Sequence, residues 1–277
     1  MAKQNMIPLE DNSGDVIGKA QRGLRIPDSE LAEKAGLSLE KIRKLRDGDF
    51  DEQALLQIAP ALGLAGQQLC DLAKGEWRPE RIDEQKGLAQ FNSRFHDMAV
   101  NAYLVWDPAS QVAAAFDTGA ECDEMVRFAS RHKLKVQLIL LTHAHPDHVA
   151  DLPRLREETG AEVFAPNREP VSGAESIDEG KRFHLGSLEI DTLLTWGHSQ
   201  GGMTYLVKGL AHPIAIVGDS LFAGSMGGGN VSYQDALRNN LEKIMTLPND
   251  TIICPGHGPM TTVGEEKSHN PFFAGKM

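Results

Sequence analysis

The stretch Val136-Gln137-Leu138-Ile139-Leu140-Leu141-Thr142-His143-Ala144-His145-Pro146-Asp147-His148 decides the reading of this chain. Its apolar first half predicts a buried strand. His143 and His145 follow that strand directly. In extended backbone, residues two apart project to the same side, so both imidazoles can reach one ion. Pro146 suits a helix start. Asp147 and His148 then begin the helix, turn to a different side and can hold a second ion a few Å away. Imidazole nitrogens and carboxylate oxygens in a turn at a strand end suit zinc, and also manganese or iron.

Working outward, more polar residues stand at strand ends. Gly197-His198-Ser199 follows an expected strand at 188–194, and Gly218-Asp219-Ser220 follows one at 214–217. Pro255-Gly256-His257-Gly258 follows the last, at 251–254. The flanking glycines let the backbone approach an ion without side-chain clash. A hairpin is expected over 99–105 and 112–116, with Phe116-Asp117-Thr118-Gly119 closing it, and helices over 121–132, 149–159 and 234–246. Strands that alternate with helices, plus hairpins, fit an α/β αββα sandwich.

The ordered set His-x-His-x-Asp-His, Gly-His, Gly-Asp and Gly-His-Gly resembles the metal motifs of the metallo-β-lactamase superfamily, over about residues 95–273. The resemblance implies that His143, His145 and His198 hold one metal, that Asp147, His148 and His257 hold a second, and that Asp219 bridges both. Asp117 matches the family's early Asp, which supports the ligand loop from behind. Within the superfamily the chain resembles the short glyoxalase-II-like hydrolases, through 218–225, 255–262 and the tail 263–273. The C-terminal helical domain that full-length glyoxalase II uses to grip glutathione is expected to be lacking. The chain also departs at Met226-Gly227-Gly228-Gly229-Asn230-Val231 and at Trp196, changes that keep the ligands and alter the substrate rim.

Residues 1–75 have a different texture, that of short helices punctuated by Gly36, Gly48 and Gly63. Asp28-Ser29 and Ser38 are expected caps, and further helices are expected over 52–62 and 65–73. Leu31-Ala32-Glu33-Lys34-Ala35-Gly36-Leu37-Ser38, with Ile42, Leu45 and Ala59-x-x-Leu62-Gly63, resembles the phage-repressor-like helix-turn-helix family. The division expected is therefore a small all-α helix-turn-helix domain at 1–75, a linker at 76–94 and a metallo-β-lactamase-fold hydrolase domain at 95–277. Lys41, Arg43, Lys44 and Arg46 are the candidate DNA-contacting residues. Against this, residues 1–75 carry 10 basic and 12 acidic side chains, so no basic patch dominates.

Composition narrows the classes further. A net charge of −11 does not attract phosphate backbones overall. There is no apolar run long enough to span a membrane, and residues 1–14 show no apolar h-region, so no secretion is expected. Three widely spaced cysteines suit reduced thiols, so a cytoplasmic location is expected. The leading expectation is a metal-dependent hydrolase of a thioester or related ester, a small-molecule substrate. Two divalent ions, zinc first and iron or manganese next, would supply an acidified water and so hydroxide near neutral pH. Asp147 and Asp219 are the expected catalytic carboxylates. The competing readings are a DNA-binding regulator with a metabolite-sensing domain and a mononuclear-iron persulfide dioxygenase. A homodimer is compatible with either.

Overall fold

The computed structural model describes residues 7–82 and 86–276. Five helices come first: α1 (Ser13–Leu24), α2 (Asp28–Ala35), α3 (Leu39–Arg46), α4 (Glu52–Ile58) and α5 (Gly66–Lys74). The sequence reading did not single out α1. Its start is a capping box, in which the Asn12 side chain accepts from the Gly14 and Asp15 N–H groups and Asp15 accepts from Asn12 N–H. Ser38 caps α3 as expected, but Pro27 occupies the N-cap of α2. Asp28 instead accepts from Gln21 and Arg46 across the helices. The helix expected over 52–62 stops at Ile58 and yields to a 3₁₀ turn over Pro60–Leu62, because Pro60 has no N–H to continue the ladder.

Two six-stranded sheets follow. In the first, β1 (Leu88–Phe95), β2 (Met98–Trp106), β3 (Val112–Phe116), β4 (Lys135–Leu140), β5 (Glu162–Pro166) and β6 (Glu175–Ile177) lie side by side in chain order. The first three strands are antiparallel neighbours and the last four parallel ones. Next come β7 (Arg182–Leu185), β8 (Leu188–Leu194), β9 (Met203–Lys208) and β10 (Ile214–Gly218), then a small ribbon of β11 (Leu221–Phe222) and β12 (Ser225–Met226). With β13 (Ile252–Pro255) and β14 (Thr261–Thr262), strands β7–β10 form the second sheet, in the order β14-β13-β10-β9-β8-β7. Strand β1 corrects the expected boundary, since it begins inside the stretch read as a 76–94 linker; residues 83–85 of that stretch lie outside the described residues. The strand was missed because Gln90, Asn92 and Arg94 interrupt its apolar signal.

Helices α6 (Asp123–Arg131), α7 (Pro146–Val149) and α8 (Leu152–Thr159) belong to the first half, and α9 (Tyr233–Asn239) and α10 (Val263–His269) to the second. Strand alternation sorts the core into layers. Ala114 and Phe116 of β3 meet Ile214 and Ile216 of β10 between the sheets. Ala113 and Ala115 point the other way, toward Met125, Ala129 and Leu155 of α6 and α8. Ala215 and Val217 likewise leave the second sheet outward, into a core containing Tyr233, Phe272, and Val16, Ile17, Ile58 and Leu69 of the first five helices. The result is the expected αββα order, with a difference at the front. The helices expected as a separate domain share one continuous core with the outer face of the second sheet. Among the described residues no helix is long and apolar enough to cross a membrane.

Candidate metal centre

The decisive turn leaves β4 between its parallel neighbours and is tied down on every side. Asp117, in the left-handed region at φ 57°, accepts from the Thr142 N–H and the Thr142 hydroxyl, both at 2.7 Å. The Tyr205 hydroxyl donates to Leu141 O at 2.7 Å, Met203 N–H donates to Thr142 O at 2.8 Å, and Ala144 N–H donates to the Glu169 carboxylate at 3.0 Å. Thr118 N–H donates to His148 O, which anchors the far end.

These ties bring all seven expected ligands together. His143, His145, His198 and Asp219 form one group that could hold a metal ion; Asp147, His148 and His257 form another. His143 Nε2 and His145 Nδ1 are 3.0 Å apart, and His145 Nδ1 is 3.1 Å from His198 Nε2. On the other side, His257 Nε2 lies 3.3 Å, and His148 Nε2 3.6 Å, from Asp147 Oδ2. Asp219 stands between the groups. Its Oδ1 is 3.3 Å from His148 Nε2, and its Oδ2 is 3.4 Å from both His198 Nε2 and His257 Nε2. Four donors about 2.0–2.1 Å from a tetrahedral zinc-like ion stand about 3.3 Å apart, which is the spacing seen here.

The donor set fits a metal on a second count. His148 Nε2 and Asp219 Oδ1 are buried without a hydrogen-bond partner. A buried polar atom left unsatisfied is costly, and a cation removes the cost. The outward nitrogens are occupied instead. His148 Nδ1 meets Asp117 at 2.8 Å, His198 Nδ1 meets Gly228 O at 3.0 Å, and His257 Nδ1 meets Ala99 O at 2.7 Å. Each bond places the ring proton outside and leaves Nε2 free to face inward. Asp117 thus sits where the resemblance expects it, behind the ligand loop.

Without metal, the charges redistribute among these groups. Burial disfavours a charged His148, but Asp219 and Asp117 outweigh it and hold the imidazole up to about 10. Burial also opposes charge on His257, where Asp219 and Asp147 prevail and raise it to about 11. His143 and His198 are pushed down, mainly by burial. Asp219 pays a desolvation penalty, yet His148 and His257 keep it well below the usual carboxylate range.

Glycines allow this crowding. A Cβ at Gly256 would stand 2.1 Å from Asp219 Oδ1, and one at Gly227 would stand 1.7 Å from Asp219 O. A cleft of about 460 Å³ opens beside the first group, lined by His145, His198, Glu169, Gln200, Asn230 and Val231 among others. Glu169 was missed by the sequence reading. It braces two loops at once, accepting from Ala144 N–H and Gln200 N–H. Its place after β5 carries no ligand-like spacing that could have flagged it.

The candidate DNA-contacting residues lie apart from this centre, on α3. Each has an acidic partner: Lys41 with Asp51, Arg43 and Arg46 with Asp28, and Lys44 with Glu40.

Comparison with known proteins agrees with the geometry. The Metallo-beta-lactamase superfamily matches residues 97–257, and the chain belongs to that superfamily. Its members bind divalent metals and include many hydrolases, and this chain carries the His/Asp groups to do so. More particularly, it is 33% identical over 187 residues to the probable metallo-hydrolase YqgX of Bacillus subtilis, covering 58% of this chain and 86% of that one. It is 29% identical over 201 residues to the hydroxyacylglutathione hydrolase GloC of Haemophilus influenzae, covering 64% and 93%. The structure of ETHE1 from Myxococcus xanthus superposes with a TM-score of 0.61 at 26% identity, covering 68% and 86%. The family match leaves the first five helices outside it.

Proposed function

We propose that this chain hydrolyses a thioester or related small ester. Its metals would be held by His143, His145 and His198 on one side, by Asp147, His148 and His257 on the other, and by Asp219 between them. The observation that carries this reading is the pair of buried, unsatisfied atoms, His148 Nε2 and Asp219 Oδ1, at the meeting point of two donor groups. The similarity to a hydroxyacylglutathione hydrolase supports the reaction class. Divalent ions, zinc first and iron or manganese next, would supply an acidified water and a Lewis acid for the acyl carbonyl. In the net reaction a water oxygen bonds to the acyl carbon, the C–S or C–O bond breaks, and the leaving thiolate or alkoxide takes up a proton.

The chain's own residues set the geometry. Asp219 reaches both donor groups and spaces them. Asp147 Oδ2, 3.3 Å from His257 Nε2 and 3.6 Å from His148 Nε2, would be the carboxylate oxygen of the second donor group. His198, which lines the cleft, is held by Gly228 O at 3.0 Å, two residues before Asn230 of the same lining. The test is turnover of simple thioesters by Asp147→Ala and His198→Ala proteins, with metal content measured alongside. Each should lose roughly a hundredfold or more of kcat/KM, and His198→Ala should also lose metal. Unchanged turnover in both would sink the scheme.

A second reading, oxidation of a persulfide at a single iron, draws support from one feature: the group His143, His145, His198 and Asp219 closes around one point without the other three. Iron content with oxygen uptake on glutathione persulfide separates it from hydrolysis.

A further inference from the structure

Strand β2 of the first sheet reaches across to the turn that carries His257. Residues 99, 101 and 103 alternate along the strand and so face one way, and all three touch the turn at 255–258. His257 Nδ1 donates to Ala99 O at 2.7 Å. Asn101 N–H donates to Gly256 O at 2.7 Å. Its side-chain amide donates twice more, to Pro255 O at 2.9 Å and to Gly258 O at 2.8 Å, on either side of His257. The Tyr103 hydroxyl adds a bond of 2.8 Å to Pro255 O. From β1, the Asn92 amide donates to Asn101 Oδ1 at 2.8 Å, which leaves both Asn101 amide hydrogens for the turn. Asn101 is 1% exposed, in a strand that is otherwise apolar from Val100 to Trp106. A buried amide is costly unless its polar atoms are all paired, and two of the three pairings here go to one turn.

A second brace stands at the other donor group. Glu169, half-buried after β5, accepts from Ala144 N–H at 3.0 Å with Oε2 and from Gln200 N–H at 2.7 Å with Oε1. Ala144 lies between His143 and His145, and Gln200 lies two residues after His198. One carboxylate therefore ties together the two loops that carry all three histidines of the first group. Gly201 lets the second loop press against it, since a Cβ there would stand 3.1 Å from Glu169 Cγ. The two braces act on different turns and come from different strands.

We propose that Asn101 and Glu169 are positioning residues, each for one donor group, so that either ion can be weakened without the other. Asn101 sets the place of His257 in the group Asp147, His148 and His257. Glu169 sets the spacing of His145 and His198, whose facing nitrogens are 3.1 Å apart. The proposal rests on the assignment of two donor groups and not on the ester chemistry.

The experiment titrates cobalt(II) into the full chain stripped of metal and follows the visible absorbance, with bound metal counted by mass spectrometry. His198→Ala and His257→Ala supply reference spectra for loss of a ligand from the first and the second group. Asn101→Ala should weaken the ion marked by His257→Ala by roughly ten- to a hundredfold and leave the other within about threefold. Glu169→Gln, which keeps the shape but sets an amide against one N–H, should do the reverse, weakening the ion marked by His198→Ala by roughly tenfold or more. A merely structural role would weaken both ions together, so this crossed pattern is the deciding readout. Both variants acting alike on both ions, or on neither, overturns the proposal. Tyr103→Phe removes a single bond to the same turn and covers the case in which Asn101→Ala does not fold. It should weaken the second ion alone by roughly two- to tenfold, and no change there removes β2 from the account. If the wild type takes up one ion that His257→Ala leaves untouched, the two-group assignment fails and takes the role of Asn101 with it. If the wild type takes up two ions, loses one in His257→Ala and keeps both in Asn101→Ala and Glu169→Gln, the assignment stands and this proposal fails.

Discussion

Helix α3 and the turn Thr142–His148 each gather charged or titratable side chains into a few residues, and they treat them in opposite ways. On α3 the basic side chains are well exposed, and each finds a carboxylate: Lys44 reaches Glu40 one turn back, and Arg46 reaches Asp28. In the turn, His143, Asp147 and His148 are buried, and His148 Nε2 has no hydrogen-bond partner. Solvated, mutually paired charges need nothing further and are worth little. Buried donors that converge without partners ask for a cation. The difference shows that local charge density is a weak sign of a binding surface, and that unsatisfied burial is a strong one.

The largest effect expected lies where the two regions join. Glu266 is buried and accepts from Thr261, Asn270 and Gly224, and a Cβ at Gly224 would touch Trp77 and Leu72 from the helical side. Burial, against those hydrogen bonds, pushes its carboxyl up from 4.5 to about 7. The folded state therefore keeps a proton that the unfolded chain has released. Stability from this group is full below about pH 4.5, falls as pH rises toward 7, and is level above, a loss of roughly 3 kcal/mol. Urea midpoints of wild type and Glu266→Gln at pH 5 and pH 8 should show that drop in the wild type, and less of it in the variant. Equal drops would remove Glu266 from the account.

Asp117→Ala sharpens the contrast from the metal side. It strips the support from His148 Nδ1 and from Thr142, and should weaken metal binding by roughly ten- to a hundredfold in a chelator competition. An unchanged affinity would make the turn self-supporting.

Gly23→Ala probes the helical side by its sign. In a detached helix the change would stabilise by about 0.5–1 kcal/mol. Here a Cβ at Gly23 would stand 2.1 Å from the Tyr233 ring of α9, so the substitution should instead destabilise by about 1–3 kcal/mol. Thermal unfolding decides it, and stabilisation would restore the picture of a separate domain. The smallest effect is Lys44→Ala, which removes an exposed pair and should cost no more than about 0.5 kcal/mol.

The metal centre was legible in the sequence because each of its turns is local. His143, His145, Asp147 and His148 lie within six residues, and His198, Asp219 and His257 each carry a flanking glycine. The two-residue spacing of His143 and His145 is enough to predict convergence, since backbone geometry enforces it. Glu169 was not legible, because it acts on two loops brought beside it only by the fold. Strand β1 was hidden by polar residues on its exposed side. The helical segment looked detachable for a related reason. Its spacing of Leu31, Ile42, Leu45 and Leu62 reports an apolar face, and nothing in that spacing says whether the face closes on itself or on Ala215, Val217 and Phe272 far along the chain.

That shared core has a consequence for how the protein is made. Helices α1–α5 leave the ribosome first, while the residues that complete their apolar face lie between Ala215 and Phe273. At a synthesis rate of roughly 5–20 residues per second, the face stays uncovered for about ten seconds or more. During that interval the nascent chain offers a sticky surface to its neighbours, and chaperones that shield such surfaces would govern how much of it reaches the finished state.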